Sequence, residues 1–199
     1  MLIKPILTYP DEFLTRKAPR VGNHEFVFGF KGLTEYMIRT MRDHNGMGLA
    51  APQIGVAARV IVVDSSVFEE LHHDSGPVVM VNPEITFRSL ERNVQREGCL
   101  SLPNTHSVPV IRSNCIDVTA MNVYGETFYI KNLGGWGARC VQHEVDHLDG
   151  VLINDRGASI SDLRDLYYSL PDTDTTYQED AFTILEEVQS LYNSKSPNP

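Results

Sequence analysis

The sequence predicts an α+β fold, and three observations predict it. Residues 58–64 read as a buried strand, with Val60, Ile61, Val62 and Val63 in unbroken apolar succession between Arg59 and Asp64. Residues 115–131 alternate apolar and polar side chains around Tyr124-Gly125, the pattern of an antiparallel hairpin. Apolar residues recur at three- and four-residue spacing over 24–44 and again over 179–193, the pattern of helices that bury one face.

From the N-terminus, residues 5–21 are expected to be extended and turn-rich, since Pro5 and Tyr9-Pro10-Asp11 interrupt any periodicity. The helix at 24–44 takes its stripe from Phe26, Phe30, Leu33, Met37 and Met41, and Asn45-Gly46 stops it. The next run, Gly46-Met47-Gly48-Leu49-Ala50-Ala51-Pro52-Gln53-Ile54-Gly55, is small and glycine-rich. It allows close approach of backbone to a ligand, but it lacks the spacing of a phosphate loop. Past the strand at 58–64, residues 65–77 read as a polar surface loop; its Glu69, Glu70, His72, His73 and Asp74 could bind metal only adventitiously.

Residues 78–87 begin as a strand, break at Asn82-Pro83 and resume near an edge. Residues 95–103 suit an exposed turn around Cys99, flanked by Gly98 and by Ser101 close by. Beyond the hairpin, a helix at 136–148 is mostly apolar through Ala138, Cys140, Val141, Val145 and Leu148, and Asp149-Gly150 ends it. A short helix carries Leu163, Leu166, Tyr167 and Leu170 and stops at Pro171. Residues 171–178 read as a linker, and the last helix takes its stripe from Phe182, Leu185, Val188, Leu191 and Tyr192. The organisation is one domain over 1–170, followed by a linker and helical extension over 171–199 that is not a separate domain.

Composition narrows the function. A net charge of −9 argues against broad binding to phosphate backbones, which needs positive charge. No run of 18 apolar residues exists, so no membrane span is expected. The first residues lack the long apolar core and cleavage site of a signal peptide. Three cysteines, Cys99, Cys115 and Cys140, have no framework spacing and fit a reducing compartment.

Within the helix at 136–148, His143, Glu144 and His147 are spaced as H-E-x-x-H. Positions i and i+4 share a helix face, so two imidazoles can grip one metal ion while the glutamate reaches a water on it. By spacing alone, Cys140 could complete the ligand set from the same face.

Three separated segments extend this pattern: Gly46-Met47-Gly48-Leu49-Ala50-Ala51-Pro52-Gln53, Glu97-Gly98-Cys99-Leu100-Ser101, and Gln142-His143-Glu144-Val145-Asp146-His147. Together they make the chain resemble the peptide deformylases, metal hydrolases that remove formyl from the N-terminal methionine of new polypeptides. The resemblance covers roughly residues 3–157 and implies antiparallel β-sheets packed around a central metal-binding helix, with the C-terminal helix as an addition. It also implies Cys99, His143 and His147 as metal ligands, leaving a fourth position for water, with Cys140 an inert buried thiol. Glu144 is then the general base and later the acid. The Gln53 side-chain amide and the Leu100 backbone N–H are donors to the developing oxyanion. One divalent ion is implied, Fe2+ in cells, with Zn2+, Ni2+ or Co2+ possible in purified protein.

The substrates implied are N-formylmethionyl nascent peptides, met in the cytoplasm with transient ribosome contact, by a monomer or homodimer. Glu97 and Asp146 are candidates for the carboxylate behind a ligand histidine, and Arg139 for an ion pair with a carboxylate. Met47, Ile54, Trp136, Cys140 and His143 are candidates for the methionine pocket. Two departures stand out. His106 occupies the neighbourhood where the family often has an arginine that helps hold the peptide. The tail over 172–199 is not a lysine- or arginine-rich ribosome-docking extension. The rival readings are another H-E-x-x-H metallopeptidase, which would draw a further ligand from downstream where no histidine follows His147, and an inactive peptide-binding relative.

Overall fold

Strand β2 (Val60–Val63) explains its own composition: both of its faces are covered. In the computed structural model, which describes residues 5–22, 31–68, 76–105, 107–170 and 175–195, β2 lies inside a five-stranded antiparallel sheet. The other strands are β1 (Gly48–Ala50), β3 (Val78–Arg88), β6 (Ile116–Met121) and β7 (Thr127–Leu133), in the order β1-β2-β3-β6-β7. Helix α1 (Lys31–Asp43) covers one face, where Met37 and Met41 pack with Leu49, Val60 and Val62. Helix α2 (Gly135–Leu148) covers the other, with Ala138, Val141, Val145 and Leu148 against Ile61, Val63 and Met80. Alternate residues of β2 therefore enter two different cores. The α+β architecture expected from the sequence is the one observed, with α2 packed centrally against the sheet.

Residues 82–83 do not end the strand. Asn82 adopts φ 51°, and the pairing with β6 shifts register between Val81 and Glu84, so the break is a bulge within β3. The Asn82 side chain fixes it by accepting from the Val21 N–H at 2.8 Å and donating to the Val21 carbonyl at 3.0 Å. A second antiparallel sheet accompanies the first, as the plural sheets of the expected fold require, although the residue pattern did not mark its strands. It pairs β4 (Arg92–Glu97) with β5 (Val108–Ser113), and it delivers the chain to Gly98 and Cys99. Its charged and polar residues, with Pro109 in β5, hide the period-two signal.

Past α2, one turn of helix α3 (Ile153–Arg156) leads to α4 (Ile160–Ser169) and α5 (Thr175–Lys195). Residues 175–178 are thus the first turn of α5, not linker. The expected stripe is rotated as well. Ala181 and Ile184 are buried, with Leu185 and Val188 beside them, against Val94, Leu163 and Leu166. Phe182, Leu191 and Tyr192 stay 45%, 57% and 65% exposed, because β4 and α4 meet the helix on its neighbouring face. Phe26, Phe30, the acidic and histidine cluster of 69–75, His106 and residues 171–174 lie outside the described residues.

Candidate active site

Helix α2 sets His143 and His147 one turn apart, with ring centroids 5.0 Å apart and edges meeting faces. The turn after β4 brings Cys99 to them, its Sγ 3.2 Å from Nε2 of His147. One ligand atom from each of Cys99, His143 and His147 lies within 4.8 Å of the other two. Among the described residues this is the trio that converges, and Cys140 does not join it. The Cys140 thiol is instead packed beside the position of Gly48, and burial pushes its titration well above the ordinary thiol range.

Glu97 is the hub behind the ligands. Its Oε2 lies 3.0 Å from Nδ1 of His143, and an ionised carboxylate only accepts, so Nδ1 carries the proton and Nε2 is left to face a metal. Arg112 grips the same carboxylate through Nε at 2.6 Å and Nη2 at 2.8 Å, and Arg139 adds Nη1 at 2.6 Å. Burial alone would raise the Glu97 pKa. The hydrogen bonds from Arg112 and His143 outweigh it and hold the carboxyl well below its usual range.

Asp146 does not back a histidine. It accepts from Arg112 Nη1 at 2.8 Å and from Arg156 Nη2 at 2.7 Å, so it ties α2 to the arginine that orients Glu97. Arg112 was missed in the sequence. Its signal is parity: it shares an inward face of β5 with Val110, where a charge must find a partner.

Glu144 is 4% exposed, and its Oε2 finds no hydrogen-bond partner among the described residues. Burial pushes its pKa up to about 7, against the opposing charges of His143 and Arg112. Gly48 makes room for it: a Cβ there would sit 2.5 Å from Glu144 Oε1. Gln53 is oriented by its own neighbours. Its Oε1 accepts from the Ala50 N–H at 2.8 Å, which turns the amide nitrogen to Ser101 Oγ at 3.2 Å and Cys99 Sγ at 3.8 Å. Leu100 follows Cys99 and lines the same cavity, with its side chain against Gly46.

The cavity measures about 420 Å³ and is lined by Met47, Trp136, Cys140, His143 and Glu144 among others. Ile54, expected there, is not part of it; it is fully buried in the core with Met37 and Met41. The donors suit a divalent ion. Two imidazoles and a thiol converge, the nitrogen and sulfur donor set that catalytic divalent-metal sites use. Burial holds His147 well below the ordinary imidazole range and so keeps it neutral, the form that ligates.

The profile described as Polypeptide deformylase matches residues 3–163. The peptide deformylase 1 of Clostridium perfringens is 42% identical over 149 residues, which span 75% of this chain and 95% of that protein. The peptide deformylase of Desulforudis audaxviator is 38% identical over 161 residues, 80% of this chain and 97% of that one. Among solved structures, a peptide deformylase from Thermotoga maritima superposes with TM-score 0.70 at 39% identity, covering 80% of this chain and 100% of that chain. A class I type b peptide deformylase from Acinetobacter baumannii, bound to Met-Ala-Ser, gives TM-score 0.68 at 35% identity, covering 78% and 98%.

Proposed function

The chain belongs to the peptide deformylase family, and from that membership we propose how its residues divide the work of the reaction. It is a metal-dependent hydrolase that removes the N-formyl group from the terminal methionine of nascent peptides. The observation that carries our assignment is the convergence of Cys99, His143 and His147 beside the buried Glu144.

Cys99, His143 and His147 would hold the ion, Cys99 as thiolate and each histidine as a neutral imidazole. A divalent ion bound there would acidify a water and polarise a carbonyl. The mixed nitrogen and sulfur set suits Fe2+, Zn2+, Ni2+ or Co2+, and we take Fe2+ as the ion used in cells. Glu144 accepts the proton of the attacking water and delivers it to the departing amine, so that formate and a free N-terminus separate. Its apolar surroundings and raised pKa fit a group that both takes and returns a proton near neutrality. The Gln53 amide nitrogen and the Leu100 N–H donate to the oxygen that gains charge at the formyl carbon. We place the methionine side chain in the cavity between Met47, Trp136 and Cys140; the Acinetobacter relative is a Met-Ala-Ser complex, which fits a peptide that begins with methionine.

We place this activity in the cytoplasm, on chains emerging from the ribosome and in transient contact with it. A free Cys99 thiol is needed for ligation, and a reducing compartment preserves it. We take the working form to be a monomer or a homodimer. Residues 1–170 form the catalytic domain, and 171–199 form a linker with a helix that packs back on it.

The test is formate release from formyl-Met-Ala-Ser by metal-loaded protein. Glu144→Gln should lower turnover by roughly 10²- to 10⁴-fold with metal content unchanged. Full activity in that variant, or cleavage of unblocked peptides without formate, would overturn the assignment.

A further inference from the structure

The cavity wall carries one cation that the reaction above does not use. Arg96 lines the cavity at the end of β4, and its side chain is 34% exposed. The other arginine in the wall, Arg139, is 6% exposed and committed to Glu97. Arg96 is held from two sides. Its Nη1 donates to the Ser107 carbonyl at 3.2 Å, and its Nη2 pairs with the Glu187 carboxylate of α5.

Helix α5 is fixed where it can do this. Ala181 and Ile184 pack on Val94 of β4, and Gln95, the neighbour of Arg96, donates to Asp180 at 2.7 Å. All of α5 lies past residue 163, where the family match ends. The Thermotoga maritima chain is covered in full while part of this chain is left over, so the surplus belongs to this chain.

We propose that Arg96 is a specificity-determining residue for the peptide segment that follows formylmethionine, favouring side chains that bear a carboxylate, and that Glu187 of α5 tempers this preference by holding the same guanidinium. The inference rests on the deformylase reading, because it needs a peptide running out of the cavity past β4. Chemistry sets the direction. An arginine fork pairs with a carboxylate and repels an ammonium group. Glu187 is a competing anion already on that fork, so a substrate carboxylate gains only what remains. An exposed ion pair is weak and salt-sensitive, which makes Glu187 displaceable.

The experiment uses full-length, metal-loaded protein and formyl-Met tetrapeptide amides with Asp, Ala or Lys at either of the two positions after methionine. The readout is the Asp-to-Lys ratio of kcat/KM. Arg96→Gln should lower that ratio roughly three- to fivefold, and Glu187→Gln should raise it by a similar factor, as suits exposed charges. Both changes should reside in KM and shrink at high salt. Glu186→Gln removes a charge from the same helix without touching Arg96, and its ratio should match wild type. A ratio unmoved by Arg96→Gln overturns the proposal, as does a Glu186→Gln shift equal to that of Glu187→Gln. Wild-type turnover of the Ala peptides separates the two claims. Formate release with an unmoved ratio rejects only the role of Arg96, whereas no formate from any peptide rejects the deformylase reading itself.

Discussion

Glu97 Oε2 and His143 Nδ1 lie 3.0 Å apart, so a carboxylate from the end of one strand decides which face of a helical histidine is offered to the metal. The relationship matters because Glu97 is itself immobilised by Arg112 and Arg139. The ring is therefore oriented before any ion arrives, which lowers the cost of binding one.

Replacing this carboxylate should loosen the metal. Glu97→Gln is expected to weaken metal affinity by roughly 10- to 100-fold, in line with other carboxylates that back ligand histidines. Competition with a chelator, followed by metal analysis of the folded fraction, measures it.

The same substitution tests stability against pH. Glu97 is held below its ordinary value of 4.5, so its stabilisation is complete above that pH and is lost only as pH falls toward the folded-state value. At pH 7, Glu97→Gln should cost about 3–5 kcal/mol, because it leaves buried Arg112 with a weakened partner. The gap to wild type should narrow as pH drops below 4.5. Urea unfolding at pH 7 and at acid pH compares the two.

Gly48→Ala should damage catalysis more than folding. The new Cβ would meet Glu144 Oε1 at 2.5 Å and Cys140 Sγ at 2.8 Å, so the carboxylate proposed as the base must move. A displacement near 1 Å can cost on the order of 100-fold in rate, while overpacking costs about 1–3 kcal/mol. Steady-state kinetics alongside denaturant unfolding separate the two effects.

Helix α5 should unfold with the domain rather than ahead of it. Ile184→Ala removes a buried contact with Val94 and Leu163 and is expected to cost about 2–4 kcal/mol. A single urea transition, shifted to lower denaturant by the variant, is the expected result. An unshifted main transition would show that α5 is energetically separate.

Much of this site is legible along the chain because its local parts obey local periods. Histidines four residues apart on an apolar helix, a valine run of strand length and a period-two hairpin are properties of near neighbours. The sequence by itself therefore determined the fold class, two of the metal-binding side chains and Glu144 beside them, and the resemblance of three motifs supplied Cys99, Gln53 and Leu100. Spacing alone left Cys140 as a rival to Cys99. Only the tertiary structure decided which sulfur meets the histidines, because that depends on where β4 ends over α2. It also decided that Arg112 orients Glu97, that Asp146 answers to arginines rather than to a histidine, that Ile54 is core, and that α5 turns Ala181 and Ile184 inward. Each of these is set by the pairing of β4 with β5 or by the docking of a helix, which joins residues far apart in the chain and leaves no period to read.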